Sequence, residues 1–363
     1  MPTRVLNAST TFPDIERRMR DLLRDRKLAT PQACQRIREF HPRFSDASDE
    51  RIAEAPFTEA DAELTIAHEY GFESWPRLKA FAELSERPDV FQPAHLRIED
   101  PLFRQAVDLL DAGDAAGLRG LLQRNPGLAT QRLHLEGMNY FHDPTLLEFV
   151  AENPTRNGRL PSNAPELAQI VIDAGAKNDR RTLTDTLALV ASSAVAHESG
   201  MQPELVRVLC NAGADPNDAL LAPLIYGQFE AVEELLRNGA KLDLPVAAAT
   251  GRLREATDAL ATATELERQR ALSLATQFGH ADIVRLLIEA GTDPNRFSPP
   301  RMHSHGTPLH QAALNGDLEL TKYLVQHGAR TDIIDVRHDA TPLEWARYAG
   351  HDHVAQYLTE IMR

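Results

Sequence analysis

Cysteine is almost missing from this 363-residue chain: there are two, Cys34 and Cys210, far apart and in no Cys-x-x-Cys pair. That excludes a disulfide framework and a thiolate zinc site, and it points to a reducing cytoplasm. Aromatic residues are scarce as well, at 6%, which argues against a compact β-sandwich. No apolar run approaches the ~18 residues that would mark a membrane span. Met1 to Leu28 lacks the basic, apolar and small-residue layout of a secretory signal, so none is expected. Also missing are a glycine-rich phosphate loop, a Gly-x-Ser-x-Gly elbow and a His-Glu-x-x-His pair. No cofactor and no catalytic residue are therefore expected.

Positive charge is in short supply. The chain has 53 Asp and Glu against 39 Lys and Arg, a net of −14. Residues 1–43 are the exception, with ten Arg and Lys against five acids, which leaves −19 for the remainder. Such a body repels nucleic-acid phosphate, and no nucleic-acid partner is expected.

What the chain does have is self-similarity. Thr307-Pro308-Leu309 recurs as Thr341-Pro342-Leu343, a period of 34. Leu309, Ala312, Gly316, Leu320 and Leu324 match Leu343, Ala346, Gly350, Val354 and Leu358, and residues 271–295 share the layout. Thr307 is placed to cap a helix with Pro308 in its first turn, where a missing N–H costs nothing. Asn315-Gly316 should break that helix, Leu318 to Gln326 should form a second, and Gly328 suits a left-handed stop. A helix pair of this kind cannot bury both faces alone and must stack on neighbours. The pattern resembles the ankyrin repeat.

Glycines 175, 213, 239, 291 and 328 each follow a helix in the same way. The gap between Gly239 and Gly291 is two steps of 26, so a degraded repeat is expected over Pro245–Glu267. Residues 100 onward leave room for about eight repeats at ~33 residues each. The expected fold is an all-α ankyrin-repeat solenoid of about eight helix pairs over 96–363, preceded by an N-terminal helical cap over 1–95. Helices are expected at Ile15–Leu28, Pro31–Phe40, Thr58–Glu69 and Trp75–Leu84, with Phe72 and Trp75 as packing anchors. Residues 59–81 are similar to the helical lead-in that precedes ankyrin repeats in bacterial reading frames. The lead-in should cover the stacking face of the first repeat.

Function in a repeat array resides where the array departs from its rule. Two insertions, Asn153–Asn163 and Ala194–Pro203, interrupt helix pairs on one edge. On the opposite edge three long fingers are expected at Arg132–Pro144, Phe297–Gly306 and Asp332–Ala340, carrying His134, His142, His303, His305 and His338. Met138 to His142 is the most distinctive peptide, because Tyr140 and Phe141 are residue types typical of interface anchors. The alternative is that Phe141 folds back onto its own repeat. Arg156 could bind a carboxylate or phosphate through its planar fork, or pair with Glu148 or Glu152. His310 belongs to the Thr-Pro-Leu-His turn, where the resemblance implies a structural role.

Two functional readings stand side by side. Resemblance to ankyrin repeats implies a protein-binding module, cytoplasmic and monomeric, gripping a protein partner through its concave face and fingers. The contact residues on this reading are Tyr140, Phe141, His142, Arg156, His303, His305, His338 and Trp345. The other reading is a metal-dependent enzyme or small-molecule binder, in which His303, His305 and His338 join a carboxylate such as Asp335.

Overall fold

The computed structural model describes residues 4, 6, 10–45, 47–84, 92–135, 140–302 and 305–362. Among these the regular structure is entirely helical, with one isolated bridge between Arg132 and Thr145. The chain divides into two compact units, one made of 1–87 with 242–363 and the other of 88–241. This grouping differs from the division at residue 95 expected from composition.

The first unit begins with the lead-in helices α1 (Phe12–Lys27), α2 (Pro31–Phe40), α3 (Asp49–Glu54), α4 (Glu59–Glu69) and α5 (Trp75–Ala82). Reciprocal caps start two of them: Thr11 with Asp14 on α1, and Thr58 with Asp61 on α4. Helix α4 packs on α1 and α2, burying Ile15, Leu22, Ile37 and Ile66 between them. A bidentate pair from Arg36 to Glu69, at 2.7 and 2.8 Å, lies in this core. Burial alone would raise the Glu69 carboxyl, but Arg36 pulls it below the ordinary carboxylate range. Phe72 is buried and the Trp75 ring lies 5.4 Å from Phe12, as packing anchors should.

The second unit holds α6 (Pro101–Ala112) with α7 (Ala115–Arg124), then a 3-10 turn, Leu146–Ala151, with α8 (Ala164–Asp173). Next come α9 (Arg180–Ala191), the short α10 (Ala194–Glu198) and α11 (Gln202–Asn211), then α12 (Leu221–Ile225) with α13 (Phe229–Arg237). The expected insertion at Ala194–Pro203 is thus largely α10.

Residues 242–363 complete the first unit with four regular helix pairs. They are α14 (Leu244–Ala249) with α15 (Leu253–Leu260), α16 (Glu265–Gln277) with α17 (Ala281–Glu289), α18 (Pro308–Leu314) with α19 (Leu318–Gln326), and α20 (Pro342–Tyr348) with α21 (Asp352–Ile361). The degraded repeat expected over Pro245–Glu267 is α14 with α15. Helices α14, α16, α18 and α20 stack side by side. Small residues allow it: Ala248, Ala275, Ala312 and Ala346 are fully buried between them. Leu272, Leu287, Leu309 and Leu324 fill one apolar cluster behind that row. Gly328 ends α19 at φ +91°, the left-handed stop its position called for. At Gly251 a Cβ would come within 2.7 Å of the His280 ring, whose Nε2 donates to the Ala249 carbonyl at 3.1 Å.

Candidate partner-binding surface

The finger at Arg132–Pro144 is a narrow hairpin. Leu133 N–H donates to the Pro144 carbonyl and Leu135 N–H to that of His142, which pins the two arms together. Its tip, including Met138, lies outside the described residues. Phe141 turns inward: it is buried and meets Phe149 edge-on at 5.1 Å. The expectation that it anchors a partner is corrected, because an apolar ring of this size gains more from its own repeat's core than from water. Tyr140, its neighbour, points the other way. The residue stays 40% exposed while its hydroxyl donates to Asn153 Oδ1 at 2.5 Å. Burial of that hydroxyl, with Tyr226 nearby, pushes Tyr140 up to about 12. Tyr226, at the end of α12, is exposed as well. Asn153 in turn donates to the Leu189 carbonyl and to Ser192 Oγ, both at 3.1 Å, so finger, insertion and inner helix α9 form one surface. His142 is half exposed, with Nε2 3.5 Å from Asp143, and His134 contacts the same carboxylate at 2.8 Å.

Arg156 is not offered to a partner. Its side chain is 2% exposed and is satisfied internally by Glu152 at 2.8 Å, Asp111 at 3.0 Å and the Phe149 carbonyl at 2.7 Å. Glu152 stands at φ +48°, and its Oε2 accepts the amides of Arg156, Asn157 and Gly158 at 3.0 to 3.2 Å. The insertion that follows is therefore wound around one buried carboxylate, and Arg156 closes the ring. Of the two acids expected to pair with it, Glu152 does so. Glu148 instead caps its own turn, accepting the Thr145 amide at 2.7 Å. Burial pushes the Glu148 carboxyl up to about 7, against the hydrogen bonds from Thr145 that hold it down.

In the first unit, the finger Phe297–Gly306 also turns inward. Phe297, Ser298 and Met302 are buried, and His303 lies outside the described residues. His305 is nearly buried too, with Nδ1 3.7 Å from Glu39 Oε2 on α2. It therefore faces the lead-in, not solvent, as a finger imidazole had been expected to. The Gln35 amide, one helical turn before Glu39, donates to the Ser298 carbonyl at 2.9 Å. Neither Gln35 nor Glu39 had drawn notice in the sequence, because a polar residue on a basic helix reads as solvated.

The finger Asp332–Ala340 is organised by Asp335, which is fully buried. Its Oδ1 accepts the Arg337 and His338 amides at 2.7 Å, and its Oδ2 accepts the Ala340 amide at 3.1 Å and Trp345 Nε1 at 2.9 Å. Both oxygens are taken, so Asp335 is not the carboxylate of a metal site. Trp345, expected as a contact residue, is a half-buried strut whose only polar atom is committed to Asp335. Its ring edge meets His310 at 5.2 Å. The His338 side chain is exposed and only its amide is used. His310 Nδ1 accepts the Thr307 amide at 3.1 Å, which assigns the ring proton to Nε2, 3.1 Å from the Ala340 carbonyl. Burial depresses its pKa to about 4, so the ring is neutral. Among the described residues no three His, Cys, Asp or Glu side chains converge as a metal site.

Helix pairs with small inner faces, Thr-Pro-Leu caps and finger loops define a helical repeat protein. Residues 194–298 and 272–362 each match the family described as ankyrin repeats (3 copies), and over that span the chain is made of ankyrin repeats. Similar stretches occur in larger proteins. Palmitoyltransferase Hip14 of Drosophila melanogaster is 38% identical over 77 residues, 21% of this chain and 12% of that protein. Putative E3 ubiquitin-protein ligase XBAT35 of Arabidopsis thaliana is 40% identical over 77 residues, 21% of this chain and 16% of that one. Inactive serine/threonine-protein kinase TEX14 of Mus musculus is 31% identical over 101 residues, 28% of this chain and 7% of that protein. The chain thus spans under a fifth of the length of these relatives, and the likeness is one of repeats.

Proposed function

We propose that this chain is a protein-interaction module that grips a protein partner through its finger loops and the inner helices beside them. Ankyrin repeats serve as protein-interaction modules in general, and the relatives share only that part of themselves with this chain. The observation that carries the reading is Tyr140: an aromatic ring left open to solvent on a finger braced by Asn153. A rigid tyrosine offers large contact area with little ordering cost, which is why such residues dominate interface energetics. Tyr226 extends the same surface, and His142 and His338 lie on finger rims, where exposed imidazoles contribute little. The module acts as a monomer in a reducing cytoplasm; both thiols are free, and no described helix is long and apolar enough to cross a membrane.

The test is partner capture from native-host lysate with mass-spectrometric identification, followed by affinity measurement on the purified pair. Tyr140→Ala with Tyr226→Ala should weaken binding by roughly 30-fold or more, the effect of losing an anchor worth ~2 kcal/mol. Circular dichroism should be unchanged. Undiminished affinity in the double variant would remove this surface from the interaction.

A further inference from the structure

The finger Phe297–Gly306 is covered in this chain by a segment far away in sequence. Gln35 and Glu39 are four residues apart and so share one face of α2. Both are buried, Gln35 on the Ser298 carbonyl at 2.9 Å and Glu39 beside His305 at 3.7 Å. Gln35 is fixed for the task, since its Oε1 accepts from Arg38 at 2.8 Å, which turns its amide nitrogen toward the finger. The finger supplies its own scaffold: the Ser298 amide donates to the Gly306 carbonyl and the Met302 amide to that of Pro299.

We infer that this finger is a helix-docking surface whose occupant is the chain's own helix α2, so that a protein partner reaches it only by displacing that helix. Two observations support it. The contact points are a main-chain carbonyl that Gln35 hydrogen-bonds and an imidazole that Glu39 approaches to 3.7 Å, groups any helix with an amide and a carboxylate four residues apart could meet. The lead-in has a core of its own, with Ile15, Leu22, Ile37 and Ile66 packed among α1, α2 and α4, so lifting it does not open the apolar cluster behind α16 and α18. A competing helix should accordingly carry Gln and Glu at that spacing. The inference rests on the partner-binding reading only in naming what else would dock there.

Hydrogen exchange on the full-length chain tests it without a partner. Gln35→Ala with Glu39→Ala should speed exchange at the Ser298 and Met302 amides at least tenfold. Protection in α16 and α18, and within α1 and α4, should persist. Gln35→Glu, which keeps the shape but cannot donate to the carbonyl, should give a smaller change of the same pattern. Unchanged protection at Ser298 and Met302 would show that the finger holds itself and nothing docks on it. Joint loss of protection across the whole unit would make α2 part of the core, not an occupant. A wild-type dimer by light scattering, with the Gln35 contact made between copies, would replace the cis occupant by a second copy. Failure of the tyrosine test leaves all of these outcomes readable.

Discussion

Residues 242–363 and residues 88–241 are both built from helix pairs but hold their loops by different means. In 242–363 the loops are tied through neutral donors: capping threonines, His310 under the next finger, the His280 ring seated on Gly251, and the amides and indole gathered by buried Asp335. In 88–241 the long insertion is tied by ions that occur once. Glu152 gathers three amides, and Arg156 bridges it to Asp111 inside the protein. The loops of 242–363 find their partners in the neighbouring repeat, and even the buried Asp335 carboxylate is met by neutral donors alone. An irregular loop of eleven residues has no such partner, and a buried charge is a strong enough centre to organise it.

Breaking the ionic centre should therefore give the largest effect. Arg156→Ala leaves the buried Glu152 and the part-buried Asp111 without their cation and should cost ~3–5 kcal/mol in urea unfolding. Residues 153–163 should then become the first site of proteolysis. Leu309→Ala removes a fully buried side chain from the regular half and should cost ~2–5 kcal/mol. Its damage should show as faster exchange in α18 and its neighbours, because contacts in a repeat array are local. If both variants loosen all helices equally, the two regions do not differ in the way argued here.

Acid sharpens the comparison, since the two regions hold a buried titrating group of opposite sign. His310 has its folded pKa lowered from 6.5 to about 4, so the unfolded chain binds the extra proton first, and stability in 242–363 should fall as pH drops from 6.5 to 4. Glu148 has its folded pKa raised from 4.5 to about 7, so the folded chain keeps the proton, and stability in 88–241 should rise as pH drops from 7 to 4.5. Region-resolved exchange at pH 7 and pH 5 should show the two moving apart, and His310→Gln should flatten the first trend. The smallest effect belongs to His338→Ala. Its ring is exposed and only its amide meets Asp335, so stability should stay within ~0.5 kcal/mol by thermal unfolding.

The regular half was legible because its signals are local. Thr307, Pro308, Asn315-Gly316 and Gly328 each act on the few residues around them, and α18 with α19 follows their spacing. The degraded repeat came from the interval between two glycines alone. The fingers were harder to read. A buried ring such as Phe141 and an open one such as Tyr140 are adjacent in sequence, and only the hairpin register separates them. Arg156 has the composition of an anion receptor, and its use as an internal brace depends on Asp111, 45 residues away. The lead-in was the least legible element. Its helices follow from caps and periodicity, but their contact with Ser298 spans 263 residues and leaves no local trace.

That span has a meaning in time. A ribosome adds ~5–20 residues per second, so Gln35 is made roughly 13–50 s before the carbonyl it will bind. For that interval α2 has only the other lead-in helices for company, and the polar edge carrying Gln35 and Glu39 stays wet while Ile37 can already be covered by α4. The newborn chain thus carries a helix edge with no finger to bind, and that contact forms only once residues 297–306 have been made.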